Sequence, residues 1–420
     1  MSSPATPTLG DILRFLIGDR QAIQRFAEFR HTLGLGALLV VSAALARRYD
    51  RADLLAEPWN LVMPLLVSLV NASVLFAMVY GLFLLRAAPR PPIGESYRVL
   101  LALFWMTAPL AWLYALPVER FLDPVTATAT NLSLLLIVAL WRVLRSSRIL
   151  AVLLGIGQFA ARYLVLFFGD LVVLGLMYLS PKPIVAVMGG VMHAPQDVVI
   201  LEVGGAVLLI GLITLPVWLI CTLLTAFTDN PTWAPESQAA QPEASGVRRL
   251  FVFAAATIII WLPILPFTQS EQRLATRVER ALAADQIREA VTLMASKDEA
   301  SFPPHFNPRP TFWEGQGTPS VWLVLHEAHE QKAPPWVHEL YLAKAERVLN
   351  SSSRLGIGDQ EDFARVAMAS DQVAELVVKN QETAFLRIPD DPDSELGRLM
   401  DALYDRLDLV RQRGAGDSNP

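Results

Sequence analysis

Seven long apolar stretches, separated by short polar segments, occupy the first 267 residues of this 420-residue chain. A helix of about 20 apolar residues crosses the hydrocarbon core of a bilayer, so stretches of this kind are typical of transmembrane helices. They lie at about residues 32–46, 60–86, 97–117, 126–144, 149–180, 197–228 and 250–267. The pattern therefore predicts a transmembrane domain over residues 32–268 with about seven spans.

Residues 1–31 have a different pattern. Apolar side chains recur there at helical spacing with charged residues between them, as in Ile12, Phe15, Leu16, Ile23 and Phe26. An amphipathic segment of this kind can lie in the membrane interface. It can equally be a soluble helix that packs on the bundle, and the pattern leaves both interpretations open.

The chain after residue 268 has an ordinary soluble composition and no alternating strand pattern, and prolines separate segments of helical periodicity. We expect helices near residues 270–296, 321–331, 335–350, 359–385 and 394–413. The predicted fold class is all-α: a polytopic transmembrane helical bundle, then a C-terminal α-helical soluble domain at 269–413. Residues 414–420 are expected to be a disordered tail.

Composition supports this division. The chain is 53% hydrophobic and only 18% charged, where soluble proteins have roughly 25% charged residues. The first 267 residues carry a net charge of +3 and the remainder −8, so no basic patch indicates nucleic acid as a partner. The single cysteine, Cys221, excludes an intramolecular disulfide and a cysteine-cluster metal site.

Lysine and arginine in the short connections indicate the orientation. The N-terminus and every second connection after it carry roughly twice as many as the opposite set, which favours a cytoplasmic N-terminus. With seven spans the C-terminal domain is then extracytoplasmic, and we expect the inner membrane of a bacterial cell. Arg47 and Arg48 lie on the opposite side and argue against this choice. If the first stretch only dips into the membrane, the tail changes sides or the bundle inverts.

The stretch 149–180 contains three polar residues that are costly in lipid: Gln158, Arg162 and Asp170. Gln158 lies one turn before Arg162 and can brace it, and Arg162 can extend to the membrane interface. Asp170 then lies close to the bilayer centre, where a charge costs about 2.5–3.5 kcal/mol. Glu202 can be its partner only if one of the two carboxyls is protonated. These four residues are the candidate intramembrane site, and a structural hydrogen bond between helices is the alternative to a functional role.

Three histidines in the tail are remote candidates for a metal site. His326 and His329 lie three residues apart and His338 follows, but the first pair is one residue short of the zincin spacing. A polar helix face explains them equally. The chain also has no phosphate-binding loop and no nucleophile elbow, so we expect neither a metal nor another cofactor, and no enzymatic activity.

Residues 50–180 carry a family resemblance. Ser96–Leu100 leads into Phe104-Trp105-Met106-Thr107-Ala108-Pro109, and the next span closes on Trp141-Arg142. This arrangement, with the acidic and aromatic segment Asp53–Trp59 before it, resembles the Yip-domain family of multi-pass membrane proteins. The resemblance implies a membrane-trafficking adaptor with five spans. The sixth and seventh stretches and residues 270–420 lie outside it.

The sequence thus favours a non-enzymatic scaffold or adaptor that is embedded in a lipid bilayer and presents its helical domain to a protein partner. The alternative is a transporter or channel in which Asp170, with Arg162, Gln158 and Glu202, forms an ion, proton or substrate site. A metal-dependent enzyme built on the tail histidines is a third interpretation.

Overall fold

The structure is a computed structural model that describes residues 6–85, 89–179, 195–228, 231–233, 244–308, 320–350, 357–379 and 395–416. Within these ranges all regular structure is helical, with no strand, so the predicted all-α class is confirmed. The chain divides into two compact units. The membrane unit comprises Met1–Ile184 and Val198–Gln269, and the C-terminal unit comprises Val185–Asp197 and Ser270–Pro420.

The helices of the first 259 residues are α1 (Leu9–Ile17), α2 (Arg20–Glu28), α3 (Thr32–Arg48), α4 (Trp59–Leu85), α5 (Ile93–Trp105), α6 (Pro124–Leu154), α7 (Gln158–Leu179), α8 (Pro195–Thr228) and α9 (Ala244–Ile259). Two 3₁₀ helices, Ala108–Ala115 and Val118–Arg120, follow α5. The remaining helices are α10 (Leu265–Ala283), α11 (Ile287–Ala295), α12 (Val321–Glu330), α13 (Pro335–Asn350), α14 (Ile357–Ala369), α15 (Asp371–Lys379) and α16 (Glu395–Gly416), with a short 3₁₀ helix at Glu299–Ser301.

Five segments of the described chain are long and apolar enough to cross a membrane, as in a multi-pass membrane protein. They are Trp59–Leu85, Ile93–Arg120, Pro124–Leu154, Gln158–Met177 and Val198–Thr225. A sixth is added if α2 and α3, which meet at 110°, count as one bent span. The predicted count of about seven also includes α3 and α9, which fall short of this length because they have 17 and 16 residues and are each about 25 Å long.

Two of the predicted stretches end differently in the structure. The stretch 149–180 is not one helix: α6 continues to Leu154, Gly155 takes a left-handed conformation with φ +62°, and α7 starts at Gln158. Glycine reaches this conformation without steric cost and commonly ends helices. The stretch 250–267 breaks before Pro263, whose ring and missing N–H disfavour a continued helix.

One end of the membrane unit is marked by α1 and is here named the α1 end. Side chains and loops from several helices meet there. The contacts are Arg98 Nη1 to Arg30 O at 3.4 Å, Arg148 Nε to Gly18 O at 3.3 Å and Thr232 N to Leu154 O at 2.8 Å. The starts of α3, α5 and α7 and the ends of α6 and α8 therefore lie at this end.

The other end is marked by Tyr49, the residue after α3, and is here named the Tyr49 end. The Tyr49 hydroxyl donates to Ala115 O at 2.9 Å, and its ring lies 4.9 Å from that of Trp261, just after α9. Arg51 forms an ion pair with Glu119 at 2.7 Å and a hydrogen bond to Asn131 of α6 at 3.1 Å. The helices α3 to α9 thus alternate in direction between the two ends, although α3 and α9 are short.

Helix α1 has two apolar faces, one for each of the two interpretations of residues 1–31. Phe15 of α1 and Phe26 of α2 are buried in the core of the membrane unit, with ring centroids 5.6 Å apart. These residues pack on the bundle as a soluble helix would. Leu9, Leu13 and Ile17, however, form a separate stripe that is 44%, 69% and 68% exposed.

Asp11 anchors this N-terminal hairpin. Its carboxylate is 1% exposed and accepts hydrogen bonds from Thr8 N at 2.8 Å, Thr8 Oγ1 at 2.9 Å and Arg25 Nη1 at 2.8 Å. Burial raises the pKa of Asp11, but the hydrogen bonds from Thr8 and the charges of Arg25 and Arg14 outweigh it, so the pKa lies below its usual value. The negative charge of the buried Asp11 carboxylate is therefore stabilised by these hydrogen bonds and by the two arginines.

The helices of the C-terminal unit form a stack in which contacts join near neighbours in the chain. Helix α12 packs on α11, α13 and α14, while α14 packs on α15 and α16, and α15 packs on α13 and α16. Ser370 separates α14 from α15, so the predicted helix at 359–385 is two helices in its described part. Helix α16 continues to Gly416, so the predicted disordered tail starts too early, and residues 417–420 lie outside the described chain.

This course of the chain predicts the membrane topology. The chain leaves the membrane unit at Gln269, at the Tyr49 end, whereas α1 lies at the opposite end. We expect reporters fused before residue 6 and after residue 416 to lie on opposite sides of the membrane. With the N-terminus cytoplasmic, alkaline phosphatase fused to the C-terminus is active and a fluorescent protein there is dark. The same reporters after Arg90, at the α1 end, serve as the control. Reporters on the same side at both termini would contradict the alternation.

Candidate functional site

Helices α7 and α8 meet along a stripe of three contacts that contains Asp170. The rings of Tyr163 and Trp218 are stacked with centroids 6.0 Å apart, and Thr214 Oγ1 lies 2.6 Å from Asp170 Oδ2. The side chain of Leu174 lies 3.5 Å from the position of a Cβ built on Gly211. Residue numbers rise along α7 as they fall along α8, so the helices are antiparallel. Asp170 lies within this interface, near the middle of α7.

Two acceptors surround the Thr214 hydroxyl. Besides Asp170 it lies 2.8 Å from the carbonyl oxygen of Ile210, one turn earlier in α8. A hydroxyl has one hydrogen and two lone pairs. The single hydrogen of Thr214 is therefore shared between the Asp170 carboxyl and the Ile210 carbonyl, and the contact with Asp170 joins α7 to α8.

The other candidate residues do not join Asp170. Gln158 does not brace Arg162: its amide Nε2 donates to Ser147 Oγ at 3.2 Å and its Oε1 accepts from Arg148 Nη1 at 3.5 Å. It therefore ties the start of α7 to α6. The guanidinium of Arg162 lies 5.3 Å from the ring centroid of Phe159, and its placement at the membrane interface stays a prediction.

Glu202 is exposed on α8 and lies twelve residues before Thr214. That spacing is about 18 Å along a helix axis, so Glu202 is not the partner of Asp170. The four candidates are therefore distributed along α7 and α8 and do not form a single cluster.

Sequence reasoning missed a polar site at the Tyr49 end of the membrane unit, where Thr268 and Gln269 meet the loop after α3. The Gln269 amide Nε2 donates to Tyr49 O and Ala52 O, both at 3.0 Å, and its Oε1 accepts from Leu54 N at 2.7 Å. Thr268 Oγ1 donates to Tyr49 O at 2.6 Å. The only signal in the sequence is that two polar residues, Thr268 and Gln269, directly follow an apolar stretch. These bonds fix the start of α10 to the loop that follows α3.

The tail histidines are distributed over α12 and α13. Burial lowers the pKa of His338, and the nearby charge of His329 lowers it further. His326 Nδ1 is buried and has no hydrogen-bond partner in the described chain. Among the described residues, no group of three His, Cys, Asp or Glu side chains is arranged to hold a metal ion.

Lys344 is a buried lysine in the core of the C-terminal unit. It is 7% exposed, its Nζ donates to Pro308 O, and the nitrogen lies 4.7 Å from the ring centroid of Tyr341. Burial, together with the positive charge of Arg347, lowers the pKa of Lys344 to about 7, although Glu279 acts in the opposite direction. The amine is therefore held where its charge is unfavourable.

Comparison with known proteins gives no match: no family model, curated protein or solved structure is significantly similar to this chain. The resemblance of residues 50–180 to the Yip-domain family therefore stays a prediction.

The contact between Asp170 and Thr214 generates a test with two matched variants. Asp170→Asn keeps a group that can donate to Thr214, whereas Asp170→Leu removes the bond. We expect the thermal stability of the detergent-purified protein to be nearly unchanged in the first. In the second, and in Thr214→Val, the loss is about 0.6 kcal/mol, the mean for such bonds between membrane helices. Equal stability of all three variants would show that the bond contributes nothing.

Lys344 generates a test of pH dependence. Between the folded pKa of about 7 and the unfolded value of about 10.4, the unfolded chain binds a proton that the folded chain has lost. Stability therefore rises with pH across this window. We expect Lys344→Met to stabilise residues 270–420 by about 4 kcal/mol near pH 6, with little gain at pH 10, in thermal unfolding followed by circular dichroism. Lys297→Met, at an exposed lysine, is the control, and a gain independent of pH would contradict the assignment.

Proposed function

We propose that the protein is a membrane-anchored adaptor, in which the membrane unit holds a helical stack at the bilayer surface for a protein partner. One observation carries this proposal: helices α11 to α16 pack on their neighbours and next neighbours in the chain. Stacks of this kind, the α-solenoids, present extended surfaces that other proteins bind.

The core of the stack supports an independent role. Its buried side chains, which include Trp322, Tyr341 and Phe363, all come from residues 278–407. A unit with a hydrophobic core of its own can fold as a domain. The membrane unit then supplies anchoring, and the stack supplies recognition.

The outer surface of the stack indicates where a partner would bind. In the described part of the C-terminal unit, the exposed large apolar side chains are Tyr404 and Leu409, both on the last helix, α16. An exposed aromatic ring and a leucine on this helix are therefore the preferred contact for a protein partner.

The resemblance to the Yip-domain family would make this adaptor one of membrane trafficking. That part of the proposal depends on the side of the tail, because cytosolic trafficking partners can reach it only from the cytoplasm. The distribution of arginine residues favours the opposite side. The adaptor role itself does not depend on the side of the tail.

A transporter or channel is the second candidate, and it is supported by the Asp170 carboxyl that shares one hydroxyl hydrogen with the carbonyl of Ile210. A carboxyl that binds and releases a proton at this position could couple proton movement to a substrate. Asp170→Asn then abolishes the proton-coupled flux of reconstituted protein while its stability is retained. Unchanged flux in that variant removes the support for this candidate, because Gln158, Arg162 and Glu202 lie elsewhere.

Photo-crosslinking in cells tests the adaptor role. A crosslinking amino acid at position 404 of the full chain is expected to capture one protein partner, and Leu409→Ser is expected to reduce that capture severalfold. The same amino acid at position 280, an exposed site on α10, is the control for random collisions. Identical capture patterns from positions 404 and 280, or none from either, would contradict a specific partner at α16.

A further inference from the structure

A groove lies between α1 and α9 at the α1 end of the membrane unit. Its volume is 590 Å³, and it is lined by Leu9, Arg248, Arg249, Val252, Phe253 and Ala256. The backbone before α1 approaches α9 closely, because a Cβ built on Gly246 would lie 2.8 Å from Thr6 Cγ2. The groove is thus formed by the way the N-terminal segment packs on α9.

The lining of the groove is basic at the start of α9 and apolar further along the helix. Arg248 and Arg249 are exposed at its beginning, and neither forms an ion pair or hydrogen bond within the described chain. One turn further on, Val252, Phe253 and Ala256 provide an apolar wall, which Leu9 of α1 completes. A ligand that fits both parts has an anionic head and an apolar body.

The position of α1 indicates where such a ligand comes from. Its stripe of Leu9, Leu13 and Ile17 is largely exposed, which is unfavourable in water and favourable at the boundary between acyl chains and headgroups. Helix α9, one of the segments that run between the two ends of the bundle, begins beside it. With this stripe placed in that boundary, the arginine pair at the start of α9 is at the level of lipid phosphates.

We propose that this groove is a binding site for an anionic phospholipid. The guanidinium groups of Arg248 and Arg249 bind the phosphate, for which their planar donor sets are suited. One acyl chain lies along Val252, Phe253 and Ala256. Basic pockets between transmembrane helices on the cytoplasmic side are known to bind anionic headgroups, and this site has that chemistry together with an acyl-sized wall.

Native mass spectrometry of the full-length protein tests the site. The probes are phosphatidylglycerol and phosphatidylcholine with identical acyl chains. The wild type is expected to retain phosphatidylglycerol preferentially. Arg248→Ala with Arg249→Ala weakens its binding by about thirtyfold, equivalent to about 2 kcal/mol. Arg248→Lys with Arg249→Lys keeps most of the preference, since the charge remains.

Three controls distinguish lipid binding in this groove from an effect of net charge and from binding of a soluble anion. Arg277→Ala with Arg280→Ala removes the same charge from an exposed face of α10 and is expected to change nothing. Ala256→Trp fills the apolar wall and is expected to weaken phosphatidylglycerol binding although both arginines remain. Inorganic phosphate at millimolar concentration is expected not to displace the lipid.

The opposite results overturn the proposal. Equal retention of the two lipids by the wild type means that the groove has no preference for an anionic headgroup. An equal loss in the α10 control means that net charge alone is responsible. Displacement by inorganic phosphate means that the arginine pair binds a soluble anion and the apolar wall is not part of the site.

Discussion

The side-chain amide of Gln269 binds three backbone groups of the loop after α3, two carbonyls and one N–H. An irregular loop at the end of an apolar bundle exposes backbone groups that regular structure cannot satisfy, and leaving them unpaired is costly. Helix α3, which this loop terminates, packs on α4, α5, α9 and the 3₁₀ segment that follows α5. The arrangement of the membrane unit therefore depends on one amide that fixes the end of its central helix.

The same requirement explains the other polar residues of the membrane unit. Asp11 is buried with Arg25 and Thr8 as partners, and Asp170 is placed beside Thr214. The contacts of Asp11 with Arg25 and of Asp170 with Thr214 each join two helices that are otherwise held by apolar packing. In lipid such packing has little directional preference, whereas a hydrogen bond fixes the register of a helix pair. The few polar contacts thus specify which helix faces meet.

Local signals in the sequence predict where helices begin and end better than they predict which side chains meet between helices. Helices α4 and α8 follow directly from apolar length, and the breaks at Gly155 and Pro263 use residues whose effect on a helix is known. The pairing of Asp170 with Thr214 joins positions 44 residues apart, and no local pattern encodes it. Lys344 is an intermediate case. It falls on the same helical stripe as Val337 and Tyr341, a spacing that is compatible with burial, but the cost of burying it depends on neighbours that only the fold defines.

The stacking order of the C-terminal unit has a consequence for how this domain can change. In the described chain, the main helix contacts of α16 are with α14 and α15, so it forms one layer at the edge of the stack. Opening that layer leaves the contacts of α12 with α11 and α13 in place, so α16 can separate without global unfolding. A duplication could likewise lengthen it by one helix pair without redesigning the core. The number of helices in the C-terminal unit and its stiffness can therefore change without any change in the membrane unit.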